Sequence, residues 1–301
     1  MRVDMTDVTP LEPARLADRT EVLHLPAHVT RIVVLGDPHG DIVGLEEVLA
    51  REHGPHVAVL SAGDNVGYAD AVVSSNLIAA LAARGIRSVT GNHEAWSEAG
   101  QLFLSPPGAP RQLTPEAWAW CQALPYRIRI IADAMPGLRL HLVHSFSDWS
   151  YVEADSAERL ADIEQADVIF CGHTHKAAVH VIQRGARKPK VKRLDARSKK
   201  GIDVRWEPGA RYVVDAGSLG RPTVARLGPV LERGTYAVFD LVTRTIELRA
   251  IDKTARLQAL MEWWLRQAPG PAPGAAPAAE GAAQTDPQAQ AQEQGPGPGG
   301  P

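Results

Sequence analysis

Four apolar runs in this chain end in a small residue and pass at once into aspartate, asparagine or histidine, and a fifth closes directly on histidine. "RIVVLGDPHGD" yields Asp37 and His39, and "HVAVLSAGDN" yields Asp64. "IRSVTGNHE" yields Asn92, His93 and Glu94, "GLRLHLVHS" yields His144, and "ADVIFCGHTH" yields His173 and His175. Short apolar runs of this kind read as buried strands. Between the first three lie "IVGLEEVLAREHG" and "DAVVSSNLIAALAARG", each with helical spacing and a closing glycine. Such alternation builds a sheet with helices packed on it. In open α/β sheets ligands gather outside the carboxyl ends of strands, so residues far apart in sequence converge there.

The rhythm breaks over residues 95–125. "SPPGAP" is a loop, and "TPEAWAWCQALP" is a short helix with Thr114 as N-cap and Pro115 at its first position. "YRIRIIA" alternates like a strand, and "SAERLADIEQ" reads as a helix. "RYVVDAG", "GTYAVFDLV" and "TIELRAI" read as further strands, the last two as a hairpin. The expected architecture is two packed sheets flanked by helices. Residues 1–30 form an extension with an edge strand at "EVLHL", residues 31–267 the folded domain, and residues 268–301 a tail. The tail is Pro, Ala, Gly and Gln with almost no apolar mass, and is expected to be disordered. "TARLQALMEWWLRQ" closes the domain as an amphipathic helix, with Trp263 and Trp264 expected to pack on the body.

At 301 residues the chain can bury a substantial core. Its formal net charge of -3 announces no nucleic-acid or membrane partner. Cys121 and Cys171 lie in apolar surroundings, which argues against a disulfide framework and for a reducing compartment. "MRVDMTDVTP" has no apolar core of a signal peptide, and no apolar stretch is long enough to span a bilayer. A cytoplasmic location is expected.

Each strand-end motif has a plainer reading by itself. Asp-X-His after a strand can be a turn, Asp64 can cap one, and "GNHE" can open a helix with Glu94 in its first turn. His144 can be a satisfied core histidine. Together, though, Asp37, Asp64, Asn92, His39, His144, His173 and His175 offer more donors than one divalent ion takes. The set suits two transition metals bridged by a carboxylate. It contains no cysteine, so it is not a structural zinc site. Manganese, iron or zinc fits donors of this hardness.

The joint order D-X-H, GD, GNH, H, GHXH resembles the calcineurin-like metallophosphoesterases, over roughly Arg31 to Lys253. The resemblance implies an α/β fold, a four-layer αββα sandwich of two mixed sheets flanked by helices. It implies two divalent metal ions, manganese foremost, with iron, zinc, nickel or magnesium as other occupants. Asp37, His39 and His175 would bind the first ion, Asn92, His144 and His173 the second, and Asp64 would bridge them. His93 would face the substrate as general acid, so Asp64, Asn92 and His93 form the expected catalytic group. A bridging hydroxide would attack phosphorus in line. His173 and His175 are expected on one side of an extended segment, with Thr174 pointing away and Gly172 permitting a close turn.

"GDNVGYAD" has Gly67 and Tyr68 where phosphatase members of the family carry an Asp-Arg pair. The run is similar instead to the GDLVGYGP-type run of small bacterial phosphodiesterases. "VVDAGSLGRP" is similar to their NPGSVGQP-type loop, with Asp215 and Ala216 in place of Asn-Pro, which leaves the roles of Ser218 and Arg221 open. Glu94 stands where aspartate is usual. The expected function is therefore a phosphodiesterase, with a phosphomonoesterase or a non-catalytic binding scaffold of the same fold as alternatives. Residues 184–211 are dense in Lys and Arg and interrupt the strand region after the GHTH block. They read as a solvated hairpin, or as an electrostatic guide to a polyanion such as nucleic acid. The partner expected in any case is a phosphate-ester substrate.

Overall fold

The computed structural model describes residues 19–183, 185, 188–224 and 228–267. The chain divides into two units, one running to Ala259 and the other beginning at Leu260. The described part of the second unit is the end of one helix. The sequence-based expectation for the tail 268–301 falls outside the described residues, as does that for the side chains of Trp263 and Trp264.

The first strand, β1 (Thr20–Leu25), is followed by β2 (Arg31–Leu35), α1 (Ile42–Arg51), β3 (Val57–Ser61), α2 (Ala71–Ala83) and β4 (Arg87–Ser88). Then come α3 (Asn92–Ala95), α4 (Pro115–Ala123), β5 (Arg127–Ala132), β6 (Leu140–Val143), α5 (Ala157–Glu164) and β7 (Val168–Cys171). The remaining elements are β8 (Ala178–Gln183), β9 (Lys190–Arg193), β10 (Ile202–Arg205), β11 (Ala210–Asp215), the short ribbon β12 (Thr223–Val224) and β13 (Gly228–Pro229), β14 (Arg233–Asp240), β15 (Thr245–Asp252) and α6 (Thr254–Gln267). Among the described residues no helix is long and apolar enough to cross a membrane.

The strands form two mixed sheets. One has the order β1-β5-β6-β7-β11-β8-β9, the other β10-β15-β14-β2-β3-β4. Strands β2, β3 and β4 are mutually parallel, as are β6, β7 and β11. Side-chain alternation along each strand sorts the layers. Ile32 and Val34 of β2 pack with Phe170, Val214 and Leu142 in the core between the sheets. Val33 and Leu35 point the other way, onto Leu45 and Val48 of α1 and Leu77 and Leu81 of α2. On the far side Ile169 and Cys171 pack beneath Leu160 and Ala161 of α5. The architecture is thus helix, sheet, sheet, helix. Cys121 and Cys171 are buried free thiols in different clusters.

Capping fixes where the helices begin. Asp41 and Asp70 each accept a hydrogen bond from the backbone two or three residues into α1 and α2, at 2.9 and 2.8 Å. Thr114 caps α4 in the same way, with Pro115 in its first turn. The "EVLHL" strand is present and lies parallel to β5 at the edge of the first sheet.

One local expectation is corrected. "IRSVTGNHE" is a strand only at Arg87–Ser88, because the Thr90 N–H turns to the Pro125 carbonyl and Asn92 opens α3. Residues 184–211 do contain a hairpin return with exposed charges, as expected, since β9 pairs antiparallel with β8, but the segment also feeds the second sheet. Strand β9 extends the first sheet beside β8, and β10 extends the second beside β15. Leu194 and Val204 anchor the segment in the inter-sheet core, so its apolar residues outweigh its charge in placing the backbone.

Candidate metal centre

Strands β2, β3 and β4 of one sheet and β6 and β7 of the other deliver their carboxyl ends to one cleft. Every donor expected from the sequence arrives there. Asp37, His39 and His175 form one cluster of possible ligands, Asp64, His144 and His173 another, and His39, Asp64 and His93 a third. Asp64 belongs to two of them. His175 Nε2 lies 3.0 Å from His39 Nε2 and 3.4 Å from Asp37 Oδ1. His144 Nε2 lies 3.0 Å from Asn92 Oδ1, 3.2 Å from His173 Nδ1 and 3.3 Å from Asp64 Oδ2.

Backbone carbonyls orient the imidazoles. His39 Nδ1 donates to Val66 O at 2.8 Å, His144 Nδ1 to Ala62 O at 2.8 Å, His173 Nε2 to Trp149 O at 2.7 Å and His175 Nδ1 to Arg221 O at 3.1 Å. With one nitrogen of each ring committed as donor, the other presents a lone pair to the cluster. Lone pairs and carboxylate oxygens brought this close repel unless positive charge, a proton or a metal ion, joins them. The donor set therefore fits metal binding at these clusters.

The local electrostatics agree. Burial opposes charge on His144, but Asp64 beside it pushes its pKa up to about 10. Burial also works against the Asp64 carboxylate, yet His144 and His93 hold it well below the usual range. Burial and the neighbouring His144 push His173 down to about 4, and burial with His175 and His93 holds His39 well below its ordinary value. His39 and His173 are thereby neutral, the form in which imidazole binds a metal, while the rise at His144 marks the positive charge that the Asp64 carboxylate draws to that point.

Backbone strain is concentrated on these residues. Asp37, His39, Asp64, Tyr68, His173 and His175 all have φ between 42° and 74°. Non-glycine residues are uncommon in that region and cluster at functional sites. The expectation of an extended segment at 173–175 is thus corrected, since both histidines turn through the left-handed region. Thr174, between them, donates to Asp215 Oδ2 at 2.6 Å. Gly172 serves clearance rather than a turn, because a Cβ there would overlap Asp37 Oδ2. Gly91 has the same role against Asp64.

His93 is buried and packs its ring against His39, Tyr68 and Trp96. Its Nε2 is 3.8 Å from Asp64 Oδ2, and its backbone N–H donates to Asp64 Oδ1 at 2.9 Å. Burial lowers its pKa, with Asp64 pulling upward. His93 Nδ1 has no hydrogen-bond partner among the described residues.

Several residues support the cluster, among them Glu94 and Ser218, whose roles the sequence left open. Glu94 is fully buried and accepts from the N–H groups of Asp64, Asn65 and Gly91 at 2.7–3.0 Å. It ties the Asp64 loop to the start of α3, and burial beside Asp64 pushes it up to about 7. A glutamate reaching back to the residue that precedes a helix is half of a capping box, so the signal lay in "GNHE". Ser218 donates to the Asp37 carbonyl at 2.8 Å and accepts from the Arg221 N–H at 2.8 Å. Buried Lys253 joins Asp41 at 2.5 Å to the Leu219 carbonyl at 2.9 Å. The carbonyls of Ala62, Val66 and Trp149 carry no residue signature at all.

The cleft above the clusters has a volume of about 390 Å³. Trp96 and Phe103 stand beside His93, while Tyr151 stacks on His173 with centroids 4.6 Å apart.

Comparison with known proteins gives one family. Residues 30–177 match the model of the calcineurin-like phosphoesterases. A metallophosphoesterase from Sphaerobacter thermophilus superposes with a TM-score of 0.58 and 23% identity, over 78% of this chain and 93% of that one. A conserved uncharacterised protein of Streptococcus pneumoniae TIGR4, itself a predicted phosphoesterase, gives 0.38 and 18%, over 75% and 90%. Vacuolar protein sorting 29 from Cryptosporidium parvum gives 0.37 and 15%, over 74% and 97%. At such identities the first match speaks for the fold alone, and the other two carry no argument. Among curated proteins no sequence matches.

Proposed function

Through residues 30–177 the chain belongs to the calcineurin-like phosphoesterase family, and from that premise we propose that it is a binuclear metal-dependent phosphodiesterase. The observation that carries this reading is a chain of three overlapping groups of acceptor atoms, Asp64 common to two of them and His39 joining these to Asp37 and His175. In the proposal Asp37, His39 and His175 hold one ion, Asn92, His144 and His173 the other, and Asp64 both. Manganese is our first assignment, since the donors are oxygens and imidazoles without thiolate. Two divalent ions, when bound, neutralise phosphate oxygens and lower the pKa of the attacking water. Cysteine usage places the protein in a reducing compartment, the cytoplasm.

The chain's own residues do the rest. The four carbonyl-anchored imidazoles keep their lone pairs on the cluster. Glu94 holds the Asp64 and Asn92 loops in register. His93 is the proton donor to the leaving oxygen, since its ring lies beside Asp64 and opens to the cleft. A diester carries two organic groups, and the cleft has apolar surface on two flanks, Trp96 with Phe103 by His93 and Tyr151 by His173.

The test is hydrolysis of bis-p-nitrophenyl phosphate against p-nitrophenyl phosphate by metal-stripped protein refilled with manganese. Diester cleavage that falls about 10²–10³-fold or more in Asp64→Asn, with loss of bound metal, is the expected result. Preference for the monoester would transfer the assignment to a phosphomonoesterase. Inertness toward both, with two ions bound, would remove the catalytic reading.

A further inference from the structure

Arg221 is placed unlike the other partly buried arginines of this fold. Arg31 and Arg127 each fork onto carboxylates, Glu52 with Glu247 and Glu164. The Arg221 guanidinium has no carboxylate and no hydrogen-bond acceptor among the described residues. It lies over the ring of Tyr68 instead, with Cζ 4.4 Å from the ring centroid. Tyr68 in turn packs on His39 and on His93, both with centroids 4.8 Å apart. All four side chains bound or border the same cleft.

The backbone of Arg221 is tied to the cluster on both sides. Its N–H donates to Ser218 Oγ, which donates to the Asp37 carbonyl, and its own carbonyl accepts from His175 Nδ1. The residue is therefore fixed in position while its five side-chain donors face the cleft unspent. A permanent cation beside two further cation sites is repelled unless an anion lies between them. A planar fork of N–H donors matches the oxygens of a phosphoryl group better than any other common anion except carboxylate. Stacking on an aromatic face holds that fork in one plane.

We infer that Arg221, held on the face of Tyr68, binds the phosphoryl group of the substrate in the cleft, and so sets which phosphate esters the site accepts. The inference rests on the reading of the cleft as a phosphoester site. It makes Arg221 a substrate-binding residue and Tyr68 a positioning residue. A monoester dianion presents more charge to the guanidinium than a diester monoanion does. Removing Arg221 is thus expected to raise KM for the monoester more than for the diester, with a smaller change in kcat.

The experiment titrates inorganic phosphate into the manganese-loaded full-length chain by calorimetry, with metal content measured in parallel. In Arg221→Gln phosphate affinity is expected to fall about 10- to 100-fold, at unchanged metal content. Arg221→Lys should recover part of the loss, since it keeps the charge but not the fork. Tyr68→Leu should weaken binding by about 3- to 10-fold, while Tyr68→Phe, which keeps the ring face, should match the native chain. The inference is overturned if Arg221→Gln binds phosphate within twofold of the native affinity. Should that variant fail to fold, native-like affinity in Tyr68→Leu overturns it equally. A native chain that binds phosphate through Arg221 but cleaves neither ester would sink the catalytic proposal and keep this one. Active Arg221→Gln with unchanged KM would do the reverse.

Discussion

The loops at the metal cluster and the basic segment 184–211 both turn sharply, and they use different residues to do it. Where the basic segment needs a positive φ, among the described residues, Gly185 and Gly209 supply it. At the cluster Asp37, His39, Asp64, His173 and His175 take that conformation themselves. A glycine would relax the turn but bring no donor atom. Each strained residue costs on the order of 1–3 kcal/mol, which persists only where the surroundings over-determine it. Here the surroundings are carbonyls that pin the imidazoles and the Glu94 carboxylate that gathers three backbone N–H groups. In the basic segment the inside and outside are reversed. Its apolar Leu194 and Val204 are buried, and its charges, such as Lys190, Lys192 and Arg197, stay exposed. One region gives up backbone comfort for chemistry, and the other keeps it.

The largest test of that contrast is catalytic. His93→Ala should lower kcat on the diester about 10²–10⁴-fold with metal content intact. The double reversal of Lys190 and Lys192 to Glu should leave kcat on this small substrate unchanged. A comparable fall in both would erase the distinction. Next in size is metal loading. At a free concentration of one hundred times Kd, manganese should stabilise the fold by about 2.7 kcal/mol. Hydrogen exchange should slow at the amides of His39, Asp64 and His173 but not at Val191 or Asp203, and uniform slowing would break the contrast.

The glycine comparison is smaller. Gly172→Ala pushes a Cβ into Asp37, which should cost about 1–3 kcal/mol and lower manganese occupancy. Gly209→Ala meets open space and strains only its own backbone, at about 1–2 kcal/mol, with occupancy unchanged. Thermal melts with metal analysis separate the two. The smallest effect is in the basic segment. Arg197 holds the exposed Asp195 carboxyl below its ordinary value. Its contribution is present above the ordinary carboxylate range and is lost as pH falls through the folded value. Because both partners are half exposed, Asp195→Asn should shift acid unfolding by less than about 0.5 kcal/mol.

Much of this was readable beforehand, for identifiable reasons. Apolar runs ending in Asp, Asn or His name both a strand and a donor, so the convergence of Asp37, Asp64, Asn92, His144, His173 and His175 follows from strand-end logic. The hairpin β14–β15 announces itself by local alternation. What could not be read depends on distant partners. Strand β10 is exposed and charged by composition and becomes a strand only through Ile246 and Leu248 of β15. The charge of the segment predicts a solvated hairpin or a guide to a polyanion, and gives no sign of the strand it adds to the second sheet. Neither the left-handed turn at His173 and His175 nor the approach of Asp37 to Gly172 is recorded in any local pattern. The role of Arg221 stays open in the sequence, because its placement depends on Tyr68.

The second sheet carries a consequence for how the protein is made. Strand β2, which leads to Asp37 and His39, is covered on one side by β14, and Arg31 meets Asp240 across 209 positions of chain. Lys253 reaches Asp41 across 212. During synthesis the first donors leave the ribosome long before the strand that encloses them exists. Pairing over such separations is slow, because loop closure must precede any gain from contact. The cluster is therefore assembled late, when almost the whole domain has emerged, and free metal meets a finished site rather than a growing one.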